Sequence, residues 1–102
     1  MTQVAEIVTF SLAPGVTDAE FVALSQATEG FVRATPGFVH RQLTKGADGR
    51  WTDYVIWQDM ETAQKVAATF PEQAFAPALM AAIAPDSAKM RHEEVHWQMQ
   101  AA

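Results

Sequence analysis

Near its end the chain reads KMRHEEVHWQM, and within this segment residues 92 to 96 spell H-E-x-x-H, the letters of a zinc peptidase helix. On a helix the two histidines lie one turn apart and bind a single Zn²⁺, while the glutamate polarises a bound water. On a strand, residues four apart share a face but are separated by about 13 Å, too far for two imidazoles to reach one ion. The chemistry of this segment therefore depends on its secondary structure.

The apolar residues of this last segment decide between the two conformations. As a helix, the segment would place Met90, Val95, Trp97 and Met99 at gaps of five, two and two, which form no stripe. As a strand, it places the last three of these side chains on one face. The pattern therefore predicts a strand from about Lys89 to Gln98, and we expect no metal site there.

In this strand His92, Glu94 and His96 share one face with Met90. One interpretation is a solvated or interface-facing polar edge. The sharper interpretation is a polar site on an otherwise apolar sheet, in which His92 acts as a base or hydrogen-bond donor and Glu94 or Glu6 orients its ring.

The first half of the chain has the signals of a strand followed by a helix. Residues 4 to 12 are rich in β-forming side chains, and Pro14-Gly15 ends that run. Thr17 and Glu20 have the spacing of a capping box, and apolar residues then recur every three to four positions until Pro36. We expect one strand over residues 4 to 12 and one helix near residues 18 to 34.

The second half continues the alternation of strands and helices. Residues 38 to 44 and 51 to 58 flank the turn sequence KGADG and predict a hairpin, and Asp59 is placed to cap a second helix that ends at Pro71. A short helical turn is expected between residues 75 and 83. With the final strand, this order predicts an α+β, ferredoxin-like βαββαβ fold with a four-stranded antiparallel sheet, as a single domain of residues 1 to 102.

Composition excludes several partners and chemistries. The 7 basic and 12 acidic residues give a net charge of −5, which is unsuited to nucleic acid or to anionic membranes. The chain contains no cysteine, which excludes disulfides, Cys-ligated metals and thiol nucleophiles. The first residues lack the charged and apolar regions of a signal peptide, so we expect a cytoplasmic protein.

The order and spacing of three segments resemble a known family. The segments VAEIVTFSLAPGVTDAEF, PGFVHRQLTKGADGRWTDYVIWQDMETAQKVAATFPEQ and SAKMRHEEVHW are similar to the antibiotic-biosynthesis-monooxygenase-like (ABM) branch of the dimeric α/β-barrel proteins. The resemblance implies a homodimer in which two sheets pack into a barrel, with a pocket in each subunit between sheet and helices. Apolar residues on both faces of several strands also favour a dimer.

The resemblance also implies a function. It suggests a cofactor-independent monooxygenase acting on a small aromatic or quinone-like substrate, and Trp57 matches the family's tryptophan at the end of the third strand. We take His92 as the catalytic candidate and Trp57, Tyr54, His40 and Glu94 as substrate-binding candidates.

An alternative to catalysis remains open at the second helix. Many active relatives carry a His about nine or ten residues after the conserved tryptophan, and this chain has Val66 and Ala67 there. That difference favours a non-catalytic dimeric protein that binds a small ligand. Haem binding or degradation is a third and weaker hypothesis.

Overall fold

Strands and helices alternate along the chain in the order that the sequence pattern predicts. A computed structural model describes residues 2 to 102. Its elements are β1 (Val4–Phe10), α1 (Asp18–Gln26), α2 (Glu29–Ala34), β2 (Phe38–Lys45), β3 (Trp51–Trp57), α3 (Met60–Thr69), α4 (Ala76–Ala81) and β4 (Lys89–Glu94). A 3-10 turn, Phe70–Glu72, lies between α3 and α4. In the described part of the chain, no helix combines the length and apolarity needed to cross a membrane.

The four strands form one antiparallel sheet in the spatial order β2-β3-β1-β4. Strands β1 and β3 occupy the centre of the sheet, and β2 and β4 lie at its two edges. This is the strand order of a ferredoxin-like fold. The predicted α+β, ferredoxin-like architecture is therefore confirmed.

The strand register assigns every strand residue to one of two faces, because successive side chains alternate across a sheet. We call the face that packs against the helices the inner face and the opposite one the outer face. Across the inner face run the rows Phe38–Trp57–Val4–Glu94, Arg41–Val55–Glu6–His92 and Leu43–Asp53–Val8–Met90. Across the outer face run the rows His40–Ile56–Ala5–Glu93 and Gln42–Tyr54–Ile7–Arg91.

Aromatic and aliphatic side chains fill the space between the inner face and the helices. Phe21 of α1 contacts Phe10 and Trp51, with ring centroids 5.2 and 5.3 Å apart. Elsewhere on the inner face, Ala63 and Val66 of α3 pack against Trp57. Burial of each large side chain contributes about 1.5–3 kcal/mol, so these contacts hold both α1 and α3 on the inner face of the sheet.

The predicted single helix over residues 18 to 34 is wrong at its middle, where Ala27 and Thr28 separate α1 from α2. Thr28 is fully buried, and its hydroxyl donates to the Ser25 carbonyl oxygen at 2.7 Å. The Thr28 hydroxyl oxygen in turn accepts from Arg41 Nη1 at 2.6 Å. A threonine that bonds to the backbone in this way competes with the regular helical pattern, and the contact with Arg41 stabilises the break.

Helix α3 begins at the cap that the sequence predicts. The Asp59 carboxylate accepts from the Thr62 backbone amide and from the Thr62 hydroxyl, both at 2.8 Å. These hydrogen bonds hold the pKa of Asp59 below its ordinary value of 3.8, and the bond from the Thr62 backbone amide has the largest effect. The cap therefore stabilises the folded state more strongly when the carboxyl is ionised.

This cap gives the protein an acid-sensitive contribution to stability. A carboxyl with a lowered pKa in the folded state stabilises the fold above its unfolded pKa, and that stabilisation is lost as the pH falls through the folded pKa. Asp59→Asn still caps the helix but does not titrate. At neutral pH we expect the wild type to have the higher Tm, and we expect this difference to shrink as the pH falls below about 4, because the wild-type carboxyl becomes protonated. Thermal melts at neutral pH and at about pH 3 measure this, and a constant difference would contradict it.

The last strand is shorter than predicted. It ends at Glu94, and although the Val95 amide still donates to the Gln3 carbonyl at 2.9 Å, Trp97 and Met99 lie beyond the sheet and are exposed. Because residues 89 to 94 form a strand, the H-E-x-x-H letters lack the helix that a zinc peptidase needs. Among residues 2 to 102, no three His, Cys, Asp or Glu side chains are grouped as a metal site requires.

Candidate functional site

A cavity of about 320 Å³ lies between the inner face of the sheet and the helices. An engineered protein cavity of about 150 Å³ holds benzene, so this volume suits a ligand of two or three fused rings. The lining is mainly apolar and includes Val8, Phe10, Val55, Trp57, Val66, Phe70, Leu79 and Ile83. Its polar part is small and is formed by Glu6, Ser25, Arg41 and Asp53.

The cavity opens beside the edge strand β4. The lining residues Met80 of α4 and Met90 of β4 are 57% and 54% exposed, whereas Phe10 and Trp57, which also line the cavity, are almost completely buried. Methionine side chains are flexible and fit aromatic surfaces of varied shape. A planar ligand can therefore enter between α4 and β4.

His92 and Glu6 form a pair next to this opening. They are directly opposite each other on β4 and β1, and His92 Nε2 lies 3.1 Å from Glu6 Oε2. Both side chains are mostly shielded, with 24% and 13% of their surfaces exposed. An ionised carboxylate only accepts hydrogen bonds, so beside ionised Glu6 the Nε2 atom carries the hydrogen and Nδ1 keeps its lone pair. This arrangement orients an imidazole that can accept a proton.

Arg41 and Asp53 form the second polar pair of the inner face. Arg41 Nε and Nη2 donate to the two oxygens of Asp53 at 3.0 and 2.8 Å, and Nη1 donates to Thr28. The pair is partly buried, and the bidentate carboxylate of Asp53 neutralises the guanidinium charge of Arg41. Both residues line the cavity, and Arg41 also lines a smaller surface cleft of about 230 Å³ between the first two helices and β2.

Trp57 contributes an unused hydrogen-bond donor. Its side chain is 1% exposed and lines the cavity, and its Nε1 atom has no hydrogen-bond partner within the described chain. Buried tryptophan N–H groups usually have a partner, and leaving one unpaired costs about 1–3 kcal/mol. The Trp57 ring lines the cavity, but the Nε1 atom itself is buried and is not exposed to the cavity space.

Known proteins resemble this chain in structure more than in sequence. No protein-family model and no curated protein matches the sequence. A single-substitution mutant of SnoaB, a cofactor-independent oxygenase from Streptomyces nogalater, superposes with a TM-score of 0.78 at 20% identity, covering 97% of this chain and 98% of that one. A proposed antibiotic biosynthesis monooxygenase from Bordetella bronchiseptica gives a TM-score of 0.77 at 18% identity, covering 95% and 100%.

A third solved structure contains a ligand. It is a monooxygenase from the gene ActVA-Orf6 of Streptomyces coelicolor in complex with nanaomycin D, with a TM-score of 0.76, 18% identity and coverage of 99% of this chain and 94% of that one. The fold is that of the antibiotic biosynthesis monooxygenases. The alignments extend over nearly the whole chain, so the likeness to this antibiotic-biosynthesis-monooxygenase (ABM) fold is not confined to one part of it.

In this ABM fold the predicted site residues form two groups, one at the cavity and one on the outer face. Trp57 lies inside the cavity, and His92 is placed beside it through Glu6. Tyr54 and His40 lie on the outer face, where Tyr54 packs against the cluster of Ala5, Ile7 and Ile56 and His40 bonds to Gln42. The expectation that Tyr54 and Trp57 line one pocket is therefore not met, because residues three apart on a strand point to opposite faces.

Glu94 shares the inner face with His92 but does not reach the cavity. It pairs with Val4 at the end of β4, and its side chain is 68% exposed and lies 3.8 Å from His96. Of the two carboxylates considered as partners for the His92 ring, the structure pairs His92 with Glu6. Sequence reasoning did not single out Asp53, because its pairing with Arg41 depends on the register of the hairpin.

Helix α3 presents only apolar groups to the cavity of this ABM fold. Val66 and Ala67, at the positions where many relatives have a histidine, both line it. Among the described residues that line the cavity there is no histidine, and the nearest one by strand position, His92, is bonded to Glu6. The residues present therefore do not fit haem ligation through a histidine.

Proposed function

We propose that the protein is a cofactor-independent monooxygenase acting on a small aromatic or quinone-like substrate held in the cavity. The observation that carries the proposal is the shielded His92–Glu6 pair at the edge of an apolar cavity of about 320 Å³. The solved oxygenases and monooxygenases with the same fold support it. The polar groups are too few for a highly charged substrate, which agrees with an aromatic one.

The proposed reaction converts an activated aromatic CH₂ group into a carbonyl with one molecule of O₂. His92 lies two positions after the lining residue Met90 on the same face of β4, so the CH₂ group is placed at the mouth of the cavity. There His92 Nδ1 takes one proton, and the resulting carbanion is delocalised onto the neighbouring carbonyl oxygen. The carbanion passes one electron to O₂, and the two radicals combine into a peroxide. The peroxide takes back the first proton from His92. Loss of the second carbon-bound hydrogen as a proton to Nδ1, with cleavage of the O–O bond, leaves the carbonyl and releases hydroxide, which takes that proton from His92 and leaves as water.

The protein's task in this scheme is to bind, orient and stabilise charge. The Trp57 ring forms part of the wall against which the substrate rings pack. Glu6 is a positioning residue that holds the His92 ring in the tautomer with Nδ1 free. The apolar walls exclude water from the carbanion, which strengthens the attraction between Glu6 and the protonated His92 ring.

The test of this function is oxygen uptake with a hydroxyanthrone. Purified, chelator-treated protein should consume one O₂ per substrate above the rate without protein and should yield the anthraquinone. No uptake with several anthrones and quinols that do bind would reject the enzyme and favour the second candidate.

The second candidate is a non-catalytic protein that binds the same class of ligand. The apolar Val66 and Ala67 on the cavity wall favour it, because they leave α3 without a proton-transfer group. The mutual pairing of Arg41 with Asp53 also favours it. Binding without O₂ uptake is the result that separates this candidate from the first.

We also propose that the protein forms a homodimer. The central apolar side chains of the outer face, Ala5, Ile7 and Ile56, are already shielded within one chain. The main support is therefore the exposed tail after β4, where Trp97 and Met99 are 79% and 80% exposed. Large exposed apolar side chains next to a sheet are typical of an interface.

Native mass spectrometry tests the dimer directly. We expect the untagged protein to have twice the mass of one chain at micromolar concentration, and Trp97→Ser to shift it towards the monomer. Met60→Ser is the matched control, because Met60 is a partly exposed apolar residue at the start of α3. A monomeric wild type, or equal effects of both substitutions, would contradict this interface.

A further inference from the structure

A band of charged side chains crosses the inner face beneath the cavity. Arg41 and Asp53 form one ion pair and Glu6 and His92 form the other, one residue on each of the four strands. The register places Asp53 opposite Val8 and Glu6 opposite Val55, so the two carboxylates are diagonal neighbours on adjacent strands. Diagonal neighbours of this kind are about 7–8 Å apart, a span comparable with the edge of a fused-ring ligand.

The charges of this band are unequal on the side that faces the cavity. Among the described residues that line the cavity, Glu6 and Asp53 are acidic and Arg41 is the one cation. The Arg41 charge is already used, because three of its N–H groups donate to Asp53 and Thr28. A carboxylate on a ligand would therefore lose its water beside two carboxylates without gaining a free cation.

The unused hydrogen-bonding capacity of the cavity describes a different ligand. Each carboxylate has about four acceptor positions, and the bonds from Arg41 and His92 fill only part of them. Ligand hydroxyl groups can donate to the remaining positions.

We propose that the cavity selects neutral hydroxylated aromatic ligands against analogues that carry a carboxylate, and that Asp53 determines this selectivity by neutralising Arg41. The inference deepens the proposed function, since it rests on the same cavity being the ligand site. It does not depend on turnover.

The test compares two ligands that differ in one charge. A dihydroxyanthraquinone and the same ring system with one carboxylate are already oxidised, so binding is measured without the reaction. Dissociation constants come from quenching of tryptophan fluorescence at neutral pH and low salt. The wild type should bind the neutral quinone at least about ten-fold more tightly than the carboxylate, because like charges brought together without compensation are strongly unfavourable.

Asp53→Asn keeps the shape of the side chain and leaves the Arg41 charge free. This variant should reverse the preference, gaining about ten-fold or more for the carboxylate and losing affinity for the neutral quinone. Asp48→Asn, in the exposed turn between β2 and β3, is the matched control and should behave as the wild type. If Asp53→Asn does not fold, the double variant Arg41→Gln with Asp53→Asn replaces the pair by neutral groups and should weaken the selectivity without reversing it.

The outcomes separate this inference from the proposed function. Equal affinities in the wild type, or an unchanged preference in the Asp53 variants, would overturn the selectivity. Failure of both ligands to bind would remove the cavity as the ligand site, and both proposals with it. Selective binding without O₂ uptake from an anthrone would keep this inference and reject the monooxygenase.

Discussion

His92→Ala should lower kcat for anthrone oxidation by about a hundred-fold or more, because it removes the group that takes the substrate proton. Binding of the oxidised quinone should change little, since His92 is not among the residues that line the cavity. The expected signature is therefore a loss in kcat at nearly constant affinity.

His96→Ala is the matched control for this substitution. His96 belongs to the same H-E-x-x-H segment, but its side chain is 85% exposed and lies outside the sheet. Its removal should leave kcat unchanged. Full activity of His92→Ala, or equal losses in both variants, would contradict the role of His92.

Glu6→Gln distinguishes a positioning residue from a structural one. A glutamine can still bond to His92, but it no longer favours one tautomer and the positive charge that forms on the ring. We expect an intermediate loss of kcat and a changed dependence of rate on pH, with thermal stability close to that of the wild type. An unchanged pH profile would show that Glu6 has no influence on the base.

Val8→Trp should abolish ligand binding by filling the cavity from its floor. Val8 lies on the central strand β1 between Asp53 and Met90, and its side chain lines the cavity. The larger indole occupies the volume that a fused-ring ligand needs, so the quinone should lose about a hundred-fold or more in affinity. The cavity gives the indole room, so Tm should fall by no more than about 5 °C.

The control for this change is the same substitution at Val39. Val39 is the extra residue at the β2 irregularity, is 39% exposed and lies away from the cavity. Val39→Trp should retain wild-type affinity. Retained binding in Val8→Trp would place the ligand elsewhere, with the outer face as the next position to test.

Much of the fold follows from local sequence signals. The Thr17 and Asp59 caps and the KGADG turn each depend on neighbouring residues, and each led to the observed element. The final strand is predicted from Val95, Trp97 and Met99, which lie beyond the end of β4. The helix break at Thr28 does not follow from local signals, because it is stabilised by Arg41, a residue on another element. A tertiary hydrogen bond of this kind is invisible to the spacing of apolar residues.

The site was less accessible to sequence reasoning than the fold. His92 and Glu6 are separated by 86 positions, so sequence could name both but not bring them together. Strand alternation alone separates Tyr54 from Trp57, and this signal was available in the sequence. Which charged side chains meet at the cavity depends on how residues of the four strands are aligned with each other. Only the strand register in the structure gives that alignment.

The most direct test of the central claim is a two-dimensional proton–nitrogen NMR titration with the neutral dihydroxyanthraquinone. The chain has 3 tryptophans, so the spectrum contains three indole signals. Trp57 lines the cavity, Trp51 is buried in the core beside Phe21, and Trp97 is exposed in the tail. Binding in the cavity predicts a large shift of the Trp57 indole with a fixed Trp97 signal. A fixed Trp57 indole, with shifts at Trp97 or at the outer-face residues Tyr54 and His40, would contradict the account.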